Sequence, residues 1–282
     1  MTDHPRVEAT FDRVQLEKLL ALAHDAVLVG GQAVAFWASF FDVPVPPALG
    51  SSVTNDSDFL GTRADVARMA SGTHGAAVYP HQRAITALAG QVKIAVSEDK
   101  YLNIDVLHRI VGFDDSDSIR KRAQEVTLGS VRFKAMHPLD CLRSRLANLH
   151  KILEKRGAAG AAQAELTARI VGRYLETLLE AGQERLALKA IENVAKMALG
   201  PSGRFAFGSF GIDMLEAIPL KRISNKKFLD VRWPQIRAQA EERRRGARRT
   251  GVSAVPVKRR PLETQAFRSS RVQGGATTSK AP

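Results

Sequence analysis

The chain has a single cysteine, Cys141, so no intramolecular disulfide can form. That fits a reducing compartment and reads Cys141 as a small buried hydrophobe. The first residues, Met1-Thr2-Asp3-His4-Pro5-Arg6, lack the apolar core of a signal peptide. Long hydrophobic runs are also missing. The most apolar charge-free stretch, Ala26 to Phe41, is interrupted by Gly30, Gly31 and Gln32. It falls short of the roughly 20 residues a membrane helix needs. The expectation is a cytoplasmic protein with no membrane contact. His74, His81 and His108 show no metal-ligand spacing and read as surface residues. No internal repeat is present.

Acidic residues are scarce in the last quarter. From Pro219 onward there are 17 Lys and Arg against 4 Asp and Glu, out of 42 and 29 in the whole chain, which leaves 25 of each in residues 1–218. The body is formally neutral, and the C-terminal quarter carries the entire net charge of +13. Arg243-Arg244-Arg245, Arg248-Arg249 and Lys258-Arg259-Arg260 hold eight of these cations. A basic tail of this kind suits nucleic acid or another polyanion; the bland reading is a solubilising disordered tail.

Hydrophobic spacing organises the rest. Leu16, Leu19, Leu20 and Ala23 recur at i, i+3, i+4 and i+7, which predicts a helix over about 9–24. Ala26–Val29 reads as a short buried strand, ended by Gly30-Gly31 and followed by a helix from Gln32 to Phe41. The proline-rich stretch 43–55 is a loop. Ser57–Leu60 returns to strand, and Thr62 caps a helix over Arg63–Ala70. Ala76–Tyr79, Gln91–Val96 and Tyr101–Leu107 read as strands, and Glu125–Phe133 as a hairpin around Gly129. Beyond His137 the pattern is helical: Leu139–Leu153, Ala161–Leu179, then about 183–199, 211–218 and 225–245. The expected architecture is α+β. A small mixed sheet with helices spans 1–136, a mostly helical domain 137–245, and a disordered basic tail 246–282.

The chemistry concentrates in carboxylates. In a strand, residues i and i+2 share a face, so Asp56 and Asp58 stand side by side. Like charges that close repel unless a cation lies between them. A hard divalent ion such as Mg²⁺ takes oxygen ligands. Asp105, in Leu102-Asn103-Ile104-Asp105-Val106-Leu107, offers a third carboxylate on another strand. Three such groups would complete a two-metal site for phosphoryl or nucleotidyl transfer.

Gly30-Gly31 entering a helix, then Thr54, Asp56, Asp58 and Phe59, then Asp105, together resemble the nucleotidyltransferase superfamily of the polymerase-β type. Within it the chain is similar to bacterial stand-alone enzymes of the abortive-infection toxin and aminoglycoside-modifying kind. The resemblance covers roughly residues 10–150. It implies a nucleotidyltransferase core over 1–136 that moves a nucleoside monophosphate from an NTP to a hydroxyl on RNA, protein or a small molecule. It also implies two Mg²⁺ ions held by Asp56, Asp58 and Asp105, with Asp105 alternatively taking the proton of the attacking hydroxyl. Gly30, Gly31 and Gln32 would contact the nucleotide, the glycines letting backbone N–H groups approach phosphate. The segment 137–220 would be a helical lid. Partners would be NTP, an RNA acceptor, nucleic acid through the tail, and an antitoxin.

Three departures stand out. Gly31 and Asp56 lie 25 residues apart, Ser57 replaces an apolar residue between the aspartates, and Arg145 stands where toxin-type members carry a lysine. Arg145 would then serve the nucleotide. The alternative function is a catalytically silent module of the same fold that binds nucleic acid or a partner. Plainer readings exist for each residue: a surface turn for Asp56 and Asp58, an exposed strand face for Asp105, and a simple strand-to-helix turn for Gly30-Gly31. Asp114, Asp115 and Asp117 read as a solvated loop, His137 as structural, and Trp37 as core. Trp233 could stack on a base or simply pack.

Overall fold

The computed structural model describes residues 7–50 and 56–249. Thr54 and everything past Arg249, including Lys258-Arg259-Arg260, lie outside the described residues.

The chain forms one mixed sheet and a helical region. The strands are β1 (Val7–Glu8), β2 (Val27–Leu28), β3 (Ser57–Leu60), β4 (Ala76–Val78), β5 (Leu88–Ala95), β6 (Lys100–Leu107), β7 (Gln124–Leu128) and β8 (Val131–Ala135). Their order is β4-β5-β6-β3-β2-β8-β7. β3 runs parallel to β6, and β5 lies antiparallel on the other edge of β6. β1 also pairs parallel with β6, at Lys100 and Tyr101, beyond the stretch that β3 occupies. β1 and β3 therefore share one lane of the sheet.

β6 shows why this sheet forms. Leu102, Ile104 and Val106 are buried on one face, while Tyr101, Asn103 and Asp105 take the other. Val92 on β5 and Phe59 on β3 join the apolar face. Each branched side chain so buried contributes about 1.5–3 kcal/mol. α3 (Arg63–Thr73) packs against β5, and α1 (Arg13–Ala23) packs against α3 and β8. Thr62 closes α3 with a capping box, its N–H donating to Asp65 Oδ2 at 2.7 Å. α2 (Gly30–Phe40) follows β2 directly. Trp37 on it is buried and donates Nε1–H to the Met136 carbonyl at 2.7 Å, so the ring is core.

The helical region holds α5 (Pro138–Lys151), α6 (Ala158–Glu180), α7 (Glu184–Leu199), α8 (Pro201–Phe210) and α9 (Trp233–Arg249). α5 joins the two parts. Cys141 belongs to the core around the sheet, and its neighbour Leu142 belongs to the core between the helices. Among the described residues, no helix is long and apolar enough to cross a membrane.

Several expectations need correction. The acidic stretch 114–117 leads into a helix, α4 (Asp117–Arg122), whose first N–H groups are held by the Asp115 carboxylate. Asp115 is exposed, but it acts as a helix cap. The expected helix over 211–218 is only a 3-10 turn, Met214–Ala217, while α8 occupies the preceding segment. Pro201 sits at the first turn of α8, where its missing N–H is harmless. Gly203 looks like a breaker, yet a Cβ there would lie 2.1 Å from the Met197 carbonyl, so close backbone approach demands glycine. The stretch 225–245 splits into a π turn, Phe228–Arg232, and α9. Pro234 has no N–H to donate, and the wide turn before it absorbs the defect. Trp233 packs beside Phe228, with ring centroids 6.4 Å apart. α9 continues past residue 245, and part of its basic cluster is docked. Arg244 pairs with Asp213 at 2.6 Å and stacks over Phe207 at 3.7 Å, and Arg243 donates to the Leu199 carbonyl.

Candidate metal centre

Asp58 and Asp105 are direct partners on the parallel β3–β6 ladder, so their side chains leave the sheet on one face. Asp56 precedes Asp58 by two residues and joins them. Each of the three offers a carboxylate oxygen, and these oxygens lie within 4.8 Å of one another. The expected triad therefore converges, and it could hold a metal ion. All three residues are half-buried.

Asp105 is fixed by two amides. Gln91 Nε2 and Asn103 Nδ2 each donate to its Oδ1 at 2.8 Å. Asp58 sits in a harsher environment. Burial, and then the Asp56 carboxylate, push it up to about 7, against the opposing charge of Arg145; Asp105 raises it further and Lys155 opposes. A cation nearby would favour the ionised form of a carboxylate so placed.

Gly30 completes the floor. Its φ of +66° lies in the left-handed region, and a Cβ built on it would fall 1.7 Å from Asp58 Oδ2. The missing side chain is thus the space that Asp58 occupies. The resemblance implies a phosphate-approach role for Gly30; the geometry adds that its bare Cα makes room for a carboxylate. Gly31 and Gln32 follow in the first turn of α2, both buried. Arg145, on α5, donates from Nη1 to Gln163 Oε1 at 3.0 Å and acts electrostatically on Asp58.

One site residue escaped the sequence reading. Glu8 on β1 pairs with Tyr101, which places it on the same face as Asn103 and Asp105. Burial, followed by the Asp56 and Asp105 charges, raises its pKa, with Lys93 opposing. A two-residue strand carries too little periodicity to reveal it. Four buried side-chain atoms among the described residues lack a hydrogen-bond partner. Two of them, Glu8 Oε1 and Asn103 Oδ1, belong to residues of this cluster, and Arg145 Nε to a residue whose charge acts on Asp58; the fourth, Ser57 Oγ, lies on the opposite face of β3. Three converging carboxylate oxygens are the kind of donor a hard divalent cation takes.

The histidines and the cysteine stand outside this chemistry. His137 accepts the Leu139 N–H at the start of α5 and meets the Tyr174 hydroxyl at 3.2 Å, a structural role. His74, His81 and His108 are exposed. Cys141 is buried and its thiol is pushed up to about 12, so it stays protonated at neutral pH. No family model matches the chain, and no curated protein matches it.

The raised Asp58 makes a pH prediction. Its carboxyl has a higher pKa folded than unfolded, so in metal-free protein its contribution to stability is present below about 3.8 and lost as pH rises through about 7. A divalent cation binds the ionised form and reverses that loss. The rise in melting temperature on adding Mg²⁺ should therefore be small at about pH 5.5 and several-fold larger at about pH 8. An equal rise at both pH values in a thermal-shift series would remove Asp58 from the metal site.

Proposed function

We propose that this chain is an Mg²⁺-dependent nucleotidyltransferase of the polymerase-β type, moving a nucleoside monophosphate from an NTP to a hydroxyl acceptor. The convergence of Asp56, Asp58 and Asp105 beside Gly30 carries this reading. Asp56 and Asp58 are the metal-holding pair. Asp105, oriented by Gln91 and Asn103, either shares the metals or takes the proton of the acceptor hydroxyl. Arg145 and Lys155 supply positive charge on the Asp58 side, suited to the triphosphate. When bound, Mg²⁺ neutralises charge developing on the transferring phosphate. In the reaction the acceptor oxygen bonds to the α-phosphorus, the bond from that phosphorus to the bridging oxygen breaks, and pyrophosphate leaves. RNA is the acceptor we favour, given the basic C-terminal quarter, and a toxin paired with an antitoxin is the matching biological setting.

Parallel incubations with α-labelled and γ-labelled NTPs, Mg²⁺ and cellular RNA test this. Label from the α-phosphate should appear on the acceptor, and label from the γ-phosphate should appear in pyrophosphate. Transfer of γ-label would make the chain a kinase. No transfer with any NTP, together with Mg²⁺-dependent NTP binding, would return it to a catalytically silent module.

A further inference from the structure

A cavity lies away from the carboxylates, among α5, α6, α7 and α8. Its volume is about 670 Å³, within the range of roughly 300–1,000 Å³ typical of small-molecule pockets. It shares no lining residue with the acidic cluster. Arg145, whose charge acts on Asp58, sits about 200° round α5 from Arg143, which lines the cavity. The two residues occupy opposite sides of one helix.

The wall is strongly cationic. Arg143 and Lys151 reach it from α5, and Lys189 and Lys196 from α7, where they flank Asn193. The spacing Lys189, Asn193, Lys196 is i, i+4, i+7, one face of a helix. Among the described residues none of these four cations makes a close salt bridge, although the Glu192 carboxylate, itself bonded to Arg232, feels the charge of Lys196. The one carboxylate lining the cavity, Asp140, is already held by Arg122 through two hydrogen bonds of 2.9 and 3.1 Å. Arg143 lies over the Phe113 ring at 4.5 Å, which fixes its position. The floor is apolar, formed by Leu146, Ala147, Ala190 and Met197. Four like charges around one cavity repel each other, and an anion relieves that repulsion.

We infer that this cavity is a second binding site, for a small phosphorylated organic anion of nucleoside di- or triphosphate size. The apolar floor takes the organic body, and Arg143, Lys151, Lys189 and Lys196 take the phosphates. Because the cations are the protein's own, binding here needs no metal. That separates it from the carboxylate site, which holds nucleotide only with Mg²⁺.

The probe is a fluorescent N-methylanthraniloyl-ATP, titrated into the full chain in EDTA. The parent protein should bind it, and the exposed double substitution Lys189→Ala/Lys196→Ala should weaken binding at least tenfold. Asp58→Asn should leave it unchanged. The corresponding adenosine probe, lacking phosphates, should bind at least tenfold more weakly. Absence of binding in EDTA, or equal binding by the double variant, would overturn the assignment. So would loss of binding in Asp58→Asn, which would place the probe at the carboxylates instead. A single-stranded oligonucleotide that displaces the probe more effectively than unlabelled ATP would make the cavity part of a nucleic-acid surface, against the small ligand inferred here. A failed Mg²⁺-dependent transfer assay leaves all these outcomes readable.

Discussion

Asp58→Asn should yield a protein that is more stable than its parent in metal-free buffer and inactive in nucleotidyl transfer. The two halves have one cause. At neutral pH the parent holds a buried carboxylate beside Asp56 and Asp105, and its pKa is pushed up to about 7 from 3.8. At about 1.36 kcal/mol per pH unit, ionising it in the folded state costs at most about 4 kcal/mol. Asparagine keeps the shape and removes the charge. The gain should vanish below about pH 3.8, where the parent carboxyl is protonated folded and unfolded, grow from there to about pH 7, and level off above it. Chemical denaturation at several pH values measures it. Activity should fall by a factor on the order of 10³ or more, as expected when a preorganised electrostatic group is lost. A variant less stable than the parent at about pH 8 would mean that Asp58 is a structural carboxylate with partners of its own.

Gly30→Ala should be strongly damaging to both folding and the metal site. Alanine in the left-handed region costs about 1–2 kcal/mol. Its Cβ would also lie 1.7 Å from Asp58 Oδ2 and 2.6 Å from Asp58 Cγ, so the carboxylate must leave its place. Folding should weaken by about 2–4 kcal/mol, and Mg²⁺ affinity should fall about a hundredfold or more through the displaced ligand. Gly208→Ala is the control: nothing lies within 4 Å of a Cβ there, inside α8. That change should be neutral or stabilising by up to about 1 kcal/mol. Equal metal affinity in parent and Gly30→Ala, measured by calorimetric titration, would show that Asp58 is not held where the geometry puts it.

The carboxylate site was largely legible because each member leaves a local mark. Asp56 and Asp58 stand two apart, and Asp105 falls between Ile104 and Val106, on the parity opposite to the one that buries them. Gly30 was visible as a break between strand and helix. What local spacing cannot show is distance in space. Glu8 enters only because β1 and β3 lie end to end along β6, a pairing across more than ninety residues of chain. The cationic cavity is assembled from faces of α5 and α7, each of which alone looks like an ordinary solvated face. Among the elements, α8 was hidden because Pro201, Gly203 and Gly208 read as loop residues. Tertiary packing against α7 gives Gly203 its place. The basic quarter was read as one feature, but Arg243 and Arg244 are tied into the helical core.

The central claim is that Asp56, Asp58 and Asp105 form a divalent metal site that brings nucleotide to the protein. Titration of Mn²⁺, a paramagnetic stand-in for Mg²⁺, followed by electron paramagnetic resonance tests it most directly. In the absence of nucleotide the parent should bind Mn²⁺, with up to two ions per chain. Asp58→Asn and Asp105→Asn should each lose that binding while remaining folded. Binding curves that coincide for the parent and both variants would contradict the account.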